Sequence, residues 1–210
     1  MNKGQGVLCI LSKAPVVGKV KTRLIPALGG IAATALYEQL LIGTLKTACA
    51  SDISQVRLYC TPSTTHPFLQ ECARNFDIEL FSQKGPELGA RMSQALSDSL
   101  CDFDYALVLG CDCPWLKVSD LNEAYTNLTE ETEVVVGPAE DGGYYLLGLR
   151  SRQDHLFENM SWGKSNVLEE TRDRLQCARI DWHEINEYPD IDLPEDLPAY
   201  NKMLLEFRTK

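Results

Sequence analysis

Four basic side chains are crowded into twelve residues near the start of the chain. Lys13, Lys19, Lys21 and Arg23 lie in the stretch KAPVVGKVKTRL at 13–24, and Lys3 adds a fifth positive charge before it. No acidic residue occurs within residues 1–37. Cations packed without carboxylate partners suit a phosphate chain, which needs several donors converging on one small volume. Each charge-assisted hydrogen bond of that kind is worth about 1.5–3 kcal/mol. Pro15 and Gly18 let the backbone turn tightly around such a ligand. The pattern is not a P-loop, because position 13 is Lys and position 20 is Val where the motif needs Gly and Ser or Thr. The competing reading is a solvated basic loop, and the lack of acidic neighbours favours phosphate.

Two carboxylates are candidates for a cation. Asp112 sits in GCDCP at 110–114, directly after the most apolar run of the chain. A lone carboxylate at the end of a strand can ligate Mg²⁺, which takes one or two protein carboxylates and completes its shell with water and substrate phosphates. An Asx-turn or a helix cap is the plainer alternative. Asp192 lies in DIDLPEDL at 190–197, where Asp192 with Glu195 reads as a capping box. It is also the candidate second metal carboxylate, opposite Asp112. Cys111 and Cys113 flank Asp112 without an obvious third and fourth zinc ligand, and the chain has no C-x-x-C. His66, His155 and His183 share no ligand spacing.

Two further stretches could meet a ligand through their backbones. PAEDGGYY at 138–145 reads as a hairpin turn, and its glycine pair also permits close approach to a ligand. QKGPELGARM at 83–92 reads as a strand-to-helix junction whose N–H groups, around Gly89 and Arg91, could meet a nucleotide.

The elements that must position these residues alternate. Short apolar runs at 7–12, 56–60, 78–81, 105–109, 134–136 and 144–149 predict strands. Apolar residues at helical spacing predict helices over 31–50, 88–100, from 119 or 120 to 128, from 166 to 175 with an Asn166–Glu169 capping box, and over 193–207. Strand–helix alternation argues for an α/β sandwich around a mainly parallel sheet, whose ligands bind outside the carboxyl ends of the strands. With no repeat, low-complexity tract or linker, residues 1–210 are expected to form one domain.

The composition narrows the partners. Of 210 residues, 44% are hydrophobic and 24% charged, which suits a globular chain with a substantial core. The net charge is −10, divided as +5 over residues 1–37 and −15 over the rest, with seven acidic residues and no Lys or Arg in 181–196. A globally acidic protein repels nucleic acid, whereas a compact basic cluster on it suits a small phosphorylated ligand. No stretch reads as a membrane span or an export signal, so a cytoplasmic location is expected and the eight cysteines should stay reduced. Cys9, Cys49, Cys60 and Cys72, in or beside apolar runs, are expected to be core filler.

Taken together, KAPVVGKVKTRL, QKGPELGARM, GCDCP, GPAEDGGYYLLGL at 137–149, the MSWG stretch at 160–168 and DIDLPEDL resemble one family in order and over nearly the whole chain. It is the small bacterial glycosyltransferase-A-like family of selenodomain-associated and arsenosugar-biosynthesis transferases. The resemblance implies a nucleotide-diphospho-sugar transferase fold, a three-layer Rossmann-like sandwich with a mixed, mainly parallel sheet. It implies a metal-dependent transferase in which Lys19, Lys21 and Arg23 hold the nucleotide phosphates and Asp112 and Asp192 bind Mg²⁺ or Mn²⁺. Asp141, Gly142, Gly143 and Tyr144, with Trp162 nearby, would face the sugar or a small-molecule acceptor. Lys21 and Arg23 would neutralise the leaving phosphate, and Asp141 is the candidate base. The alternatives are a nucleotidyltransferase that joins a nucleoside triphosphate to a phosphorylated acceptor, and an inactive nucleotide-sugar-binding protein. The chain departs from sugar nucleotidyltransferases at G-x-G-T-R, where it has Gly18-Lys19-Val20-Lys21-Thr22-Arg23, and in carrying Cys111 before the metal Asp.

Overall fold

In a computed structural model of the chain, residues 5–130 and 132–208 are described, and Lys3 lies outside them. Seven strands follow along the described chain: β1 (Gly6–Lys13), β2 (Gln55–Thr61), β3 (Glu79–Ser82), β4 (Tyr105–Leu109), β5 (Val134–Pro138), β6 (Tyr144–Leu149) and β7 (Trp182–Glu184). The helices are α1 (Ile25–Leu28), α2 (Gly30–Cys49), α3 (Pro67–Phe76), α4 (Leu88–Ser99), α5 (Val118–Glu130), α6 (Val167–Ala178) and α7 (Leu197–Arg208). The strands form one sheet in the order β3-β2-β1-β4-β6-β5-β7, in which only β6 runs antiparallel to the others.

The apolar runs of β1 and β4 are buried on both faces because helices cover both sides of the sheet. Alternation along β1 sends Leu8 and Ile10 to the layer holding Leu41 and Leu45 of α2 and Leu121 of α5. Val7 and Cys9 go to the layer of Met92 and Leu96 of α4 and Leu168 of α6. The mixed α/β three-layer sandwich expected from the sequence is the fold observed.

Topology then places every candidate loop at one end. β1 pairs with β2 on one side and β4 on the other, so the strand order reverses there and the loops after β1 and β4 emerge side by side. Because β6 is antiparallel, its first residues lie beside the last residues of β4, with Leu109 opposite Leu146. The turn between β5 and β6 therefore opens at the same edge.

Several local expectations change. Two elements are not among those expected from the sequence: α3, and β7, whose three residues are too few for a periodic signal. Asn166 is the N-cap of α6 but makes no side-chain cap. The helix's free N–H at Leu168 instead donates to Gly142 O at 2.8 Å, which ties the β5–β6 turn to α6. Cys49 is exposed at the end of α2 and is not core filler, whereas Cys9, Cys60, Cys72, Cys111 and Cys113 are buried; all eight are free thiols. Among the described residues no helix is long and apolar enough to cross a membrane.

Candidate active site

A cleft of about 550 Å³ opens at the carboxyl end of β1 and β4. On its floor, the basic loop closes at Lys21. The backbone of Lys21 is left-handed (φ 46°, ψ 43°), a conformation that costs a non-glycine residue roughly 1–2 kcal/mol. Its side chain is only 2% exposed and forms an ion pair with Asp112 Oδ1. Nζ also donates to Ile191 O at 2.5 Å and to Asp192 Oδ1 at 3.3 Å. Arg23 Nη1 donates to the other oxygen of Asp192 at 3.0 Å. Burial by itself lowers the Lys21 ammonium, but Asp112 and Asp192 outweigh it and hold the group above its ordinary value.

Packing brings these distant segments together. Leu24, next to Arg23, and Ile191, next to Asp192, are both fully buried in one cluster with Ala33, Leu36 and Leu40 of α2 and Tyr200 of α7. Burying each of the two aliphatic side chains contributes about 1.5–3 kcal/mol. The irregular segment following β7 is then threaded across the sheet ends. Ile185 N–H donates to Val136 O, Tyr188 N–H to Pro138 O, and Ile191 N–H to Asp112 O at 2.9 Å. Buried Asp120 fastens the same segment by accepting from Asn186 Nδ2 and Tyr188 Oη, each at 3.0 Å.

Asp192 is not the helix cap that the D-x-x-E spacing suggests. The cap is made one residue later, with Asp196 Oδ2 accepting from the N–H groups of Asp192 and Leu193 at 2.8 and 2.6 Å. The carboxylate of Asp192 is thereby left for Lys21 and Arg23.

The corner carries more negative than positive charge. Glu87, Asp112, Asp141, Asp190 and Asp192 line the cleft, against Lys13, Lys21, Arg91 and Lys164. Burial and the neighbouring carboxylates of Asp141, Asp192 and Asp112 push Asp190 up to about 6. Asp190 is a site residue the sequence analysis passed over, although it begins the same DIDLPEDL block. Asp112 and Asp192 both face one ammonium, so two hard oxygen donors converge on a single cationic point. That donor set fits Mg²⁺ or Mn²⁺ completed by water and phosphate oxygens. Among the described residues no three His, Cys, Asp or Glu are grouped as a metal site on their own. Burial pushes the thiols of Cys111 and Cys113 up to about 12.

The opposite wall is aromatic. Trp162 stacks on Phe157 with centroids 6.3 Å apart and meets Tyr144 edge-on at 6.3 Å. Its indole can lie where it does only because residue 89 is Gly: a Cβ there would stand 2.2 Å from Trp162 Nε1. Gly89 thus makes room for Trp162 and does not itself line the cleft. Tyr144 Oη and Trp162 Nε1 are buried without a hydrogen-bond partner, and burial raises the Tyr144 phenol. Gly142 has φ 85°, and a Cβ on it would stand 2.0 Å from Ser165 O. Beside it, Asp141 Oδ1 accepts from Gly143 N–H at 2.8 Å, an Asx turn that leaves Asp141 on the cleft wall.

The remaining candidates divide. Lys13, Arg91, Gly143, Tyr144 and Trp162 line the cleft, with Arg91 Nε donating to Gly85 O at 3.0 Å. Gly18, exposed Lys19 and Gly142 stand outside the lining. Gln83 is a further lining residue whose role was not foreseen. Its Nε2 donates to Ser12 O and Tyr59 O at 2.9 and 2.8 Å, clasping the ends of β1 and β2.

Comparison with known proteins agrees with this architecture. A sequence family described as "Uncharacterized protein conserved in bacteria (DUF2064)" matches residues 44–164. No curated protein matches the chain. A crystal structure from Desulfovibrio desulfuricans G20, provisionally described as a nucleotide-diphospho-sugar transferase, superposes with a TM-score of 0.82. It is 27% identical, over 90% of this chain and 82% of that one. CMP:2-keto-3-deoxy-manno-octonic acid synthetase complexed with CTP gives 0.63 at 12% identity, over 96% of this chain and 99% of that one. Glucosyl-3-phosphoglycerate synthase from Mycobacterium tuberculosis, with Mn²⁺, UDP and glucosyl-3-phosphoglycerate, gives 0.58 at 10% identity, over 93% and 75%. The first is a transferase by description, and the chain shares the fold of all three.

Proposed function

The chain belongs to the DUF2064 family, and from its cleft we propose that it transfers the sugar of a nucleotide diphospho-sugar to a small-molecule acceptor with the help of Mg²⁺ or Mn²⁺. The observation that carries this reading is the convergence of Asp112 and Asp192 with Lys21 and Arg23 at the carboxyl end of the central strands. The Mn²⁺ and UDP of the mycobacterial synthase support it by likeness of fold. The six sequence blocks support the narrower reading of a transferase related to the selenodomain-associated and arsenosugar-biosynthesis enzymes.

Asp112 and Asp192 are the residues that would hold the cation, which when bound supplies positive charge against the leaving diphosphate. Lys13 and Arg91 would bind phosphate oxygens or ribose from the cleft walls, and Arg23, outside the lining, would add charge beside Asp192. In the transfer, the bond from the anomeric carbon to phosphate oxygen breaks and a bond to the acceptor oxygen forms. The hydroxyl proton goes to a base, for which Asp141 is the candidate, one oxygen held by Gly143 N–H and the other available. Tyr144 and Trp162 would present an apolar, partly polar surface to the sugar or acceptor.

A second reading keeps the same residues. The CTP-bound synthetase is matched along 99% of its own length, which supports nucleotidyl transfer, with attack at the α-phosphorus and release of pyrophosphate. Incubating the protein and Mn²⁺ with UDP-, GDP- and CDP-sugars, and separately with each nucleoside triphosphate, distinguishes the two. Release of nucleoside diphosphate upholds glycosyl transfer, pyrophosphate supports the second reading, and binding without either product leaves a nucleotide-sugar-binding protein.

A further inference from the structure

The ammonium of Lys21 donates to Ile191 O and Asp192 Oδ1 and is ion-paired with Asp112 Oδ1, so three groups of the chain itself surround it. A lysine so enclosed, with its side chain only 2% exposed, is not presented to a phosphate, which is the task its place in a basic loop suggests. The two carboxylates it spans are also the two that would hold a divalent cation. An ammonium and a divalent cation at one such point repel each other strongly, so the same pair cannot serve both at once.

We propose that Lys21 is a resident counter-ion, which closes the Asp112–Asp192 pair to divalent cations until a phosphate-bearing ligand draws the ammonium away. The inference rests on the reading of Asp112 and Asp192 as the metal carboxylates. The rest of the corner is built to stay in place during the exchange. Arg23 keeps its own bond to Asp192 at 3.0 Å, Leu24 anchors the loop in the cluster that holds Ile191, and Ile191 N–H fixes the backbone of Asp112. Only the Lys21 side chain has to move, out of a strained left-handed residue that faces the cleft. Metal and phosphate then bind as a pair, each raising the affinity of the other by the same factor.

Mn²⁺ titrated into the full chain and followed by water-proton relaxation enhancement tests this, first alone and then with excess UDP, GDP or CDP. The wild type is expected to bind Mn²⁺ weakly alone and about tenfold or more tightly with nucleotide. Lys21→Met and Lys21→Gln are each expected to bind Mn²⁺ about tenfold or more tightly than wild type without nucleotide, because the competing charge is gone. In the wild type, the Lys21 ammonium ¹⁵N signal should be protected from solvent exchange and should shift only when nucleotide and Mg²⁺ are added together. If nucleotide brings Mn²⁺ to the wild type but the variants bind it no better alone, or if Mg²⁺ alone shifts the ammonium, the counter-ion role is overturned and the metal site stands. If Mn²⁺ binds to no form under any condition, the metal site falls and this inference with it.

Discussion

The two walls of the cleft are made by different physics. The Lys21 corner is held by charge: Lys21 and Arg23 both pair with Asp192, about 170 positions along the chain, and Lys21 pairs with Asp112 as well. The Trp162 wall is held by shape: stacked rings over a glycine, with two polar atoms left unpartnered. The difference teaches where function and stability separate. Charges that answer one another can be redirected to a charged ligand, whereas a wall packed to contact tolerates little change of volume.

Perturbing each wall should sharpen this contrast. The largest effect is expected on ligand binding from Asp112→Ala, which leaves Lys21 without its nearest counter-charge. Metal-dependent nucleotide affinity measured by calorimetry should fall about a hundredfold or more, with melting temperature changed far less than binding. On the other wall the order reverses. Gly89→Val forces the Trp162 indole out of its seat, and denaturant titration should show a loss of about 1–3 kcal/mol together with a red-shifted tryptophan emission. A Gly89→Val protein with wild-type stability and emission would remove the packing account of that wall.

Asp196→Ala probes the join between the walls and the tail helix. Loss of its two backbone acceptor bonds should cost about 0.5–2 kcal/mol, the usual range for a helix cap, and should free Asp192 to shift. The smallest effect concerns a pair outside the cleft lining. The Arg172 guanidinium holds Glu184 below the usual carboxylate range despite partial burial. A carboxyl lowered in the folded state contributes stability at neutral pH that is lost as pH falls through its unfolded and then its folded value. Urea midpoints should therefore fall less steeply with acid in Arg172→Met than in the wild type.

Much of this was written in local sequence. The fully buried strands β1 and β4 are short apolar runs with no other comfortable fate, and the loops after them could be singled out by fold logic alone. Asp112 was legible as a carboxylate at the end of such an element, and Asp192 as an acidic residue before the last helix. What local sequence did not show was who answers whom. Lys21 reads as a free phosphate donor until the cluster of Leu24 and Ile191 brings its ammonium onto two aspartates, a contact set by burial across the whole chain. Asp192 reads as a cap because Asp and Glu both suit that spacing, and only the backbone path assigns the capping to Asp196. Gly89 reads as part of a helix start whose N–H groups could meet a nucleotide, while its neighbour proves to be Trp162, distant in sequence and near only in the fold.

The most direct measurement is anomalous diffraction from crystals grown with Mn²⁺ and a nucleoside diphosphate. The expected result is a manganese peak between the carboxylates of Asp112 and Asp192, bonded to the diphosphate, with the Lys21 ammonium moved onto phosphate. A diphosphate bound in the cleft with Lys21 still bridging both aspartates, or manganese bound elsewhere, would contradict the account.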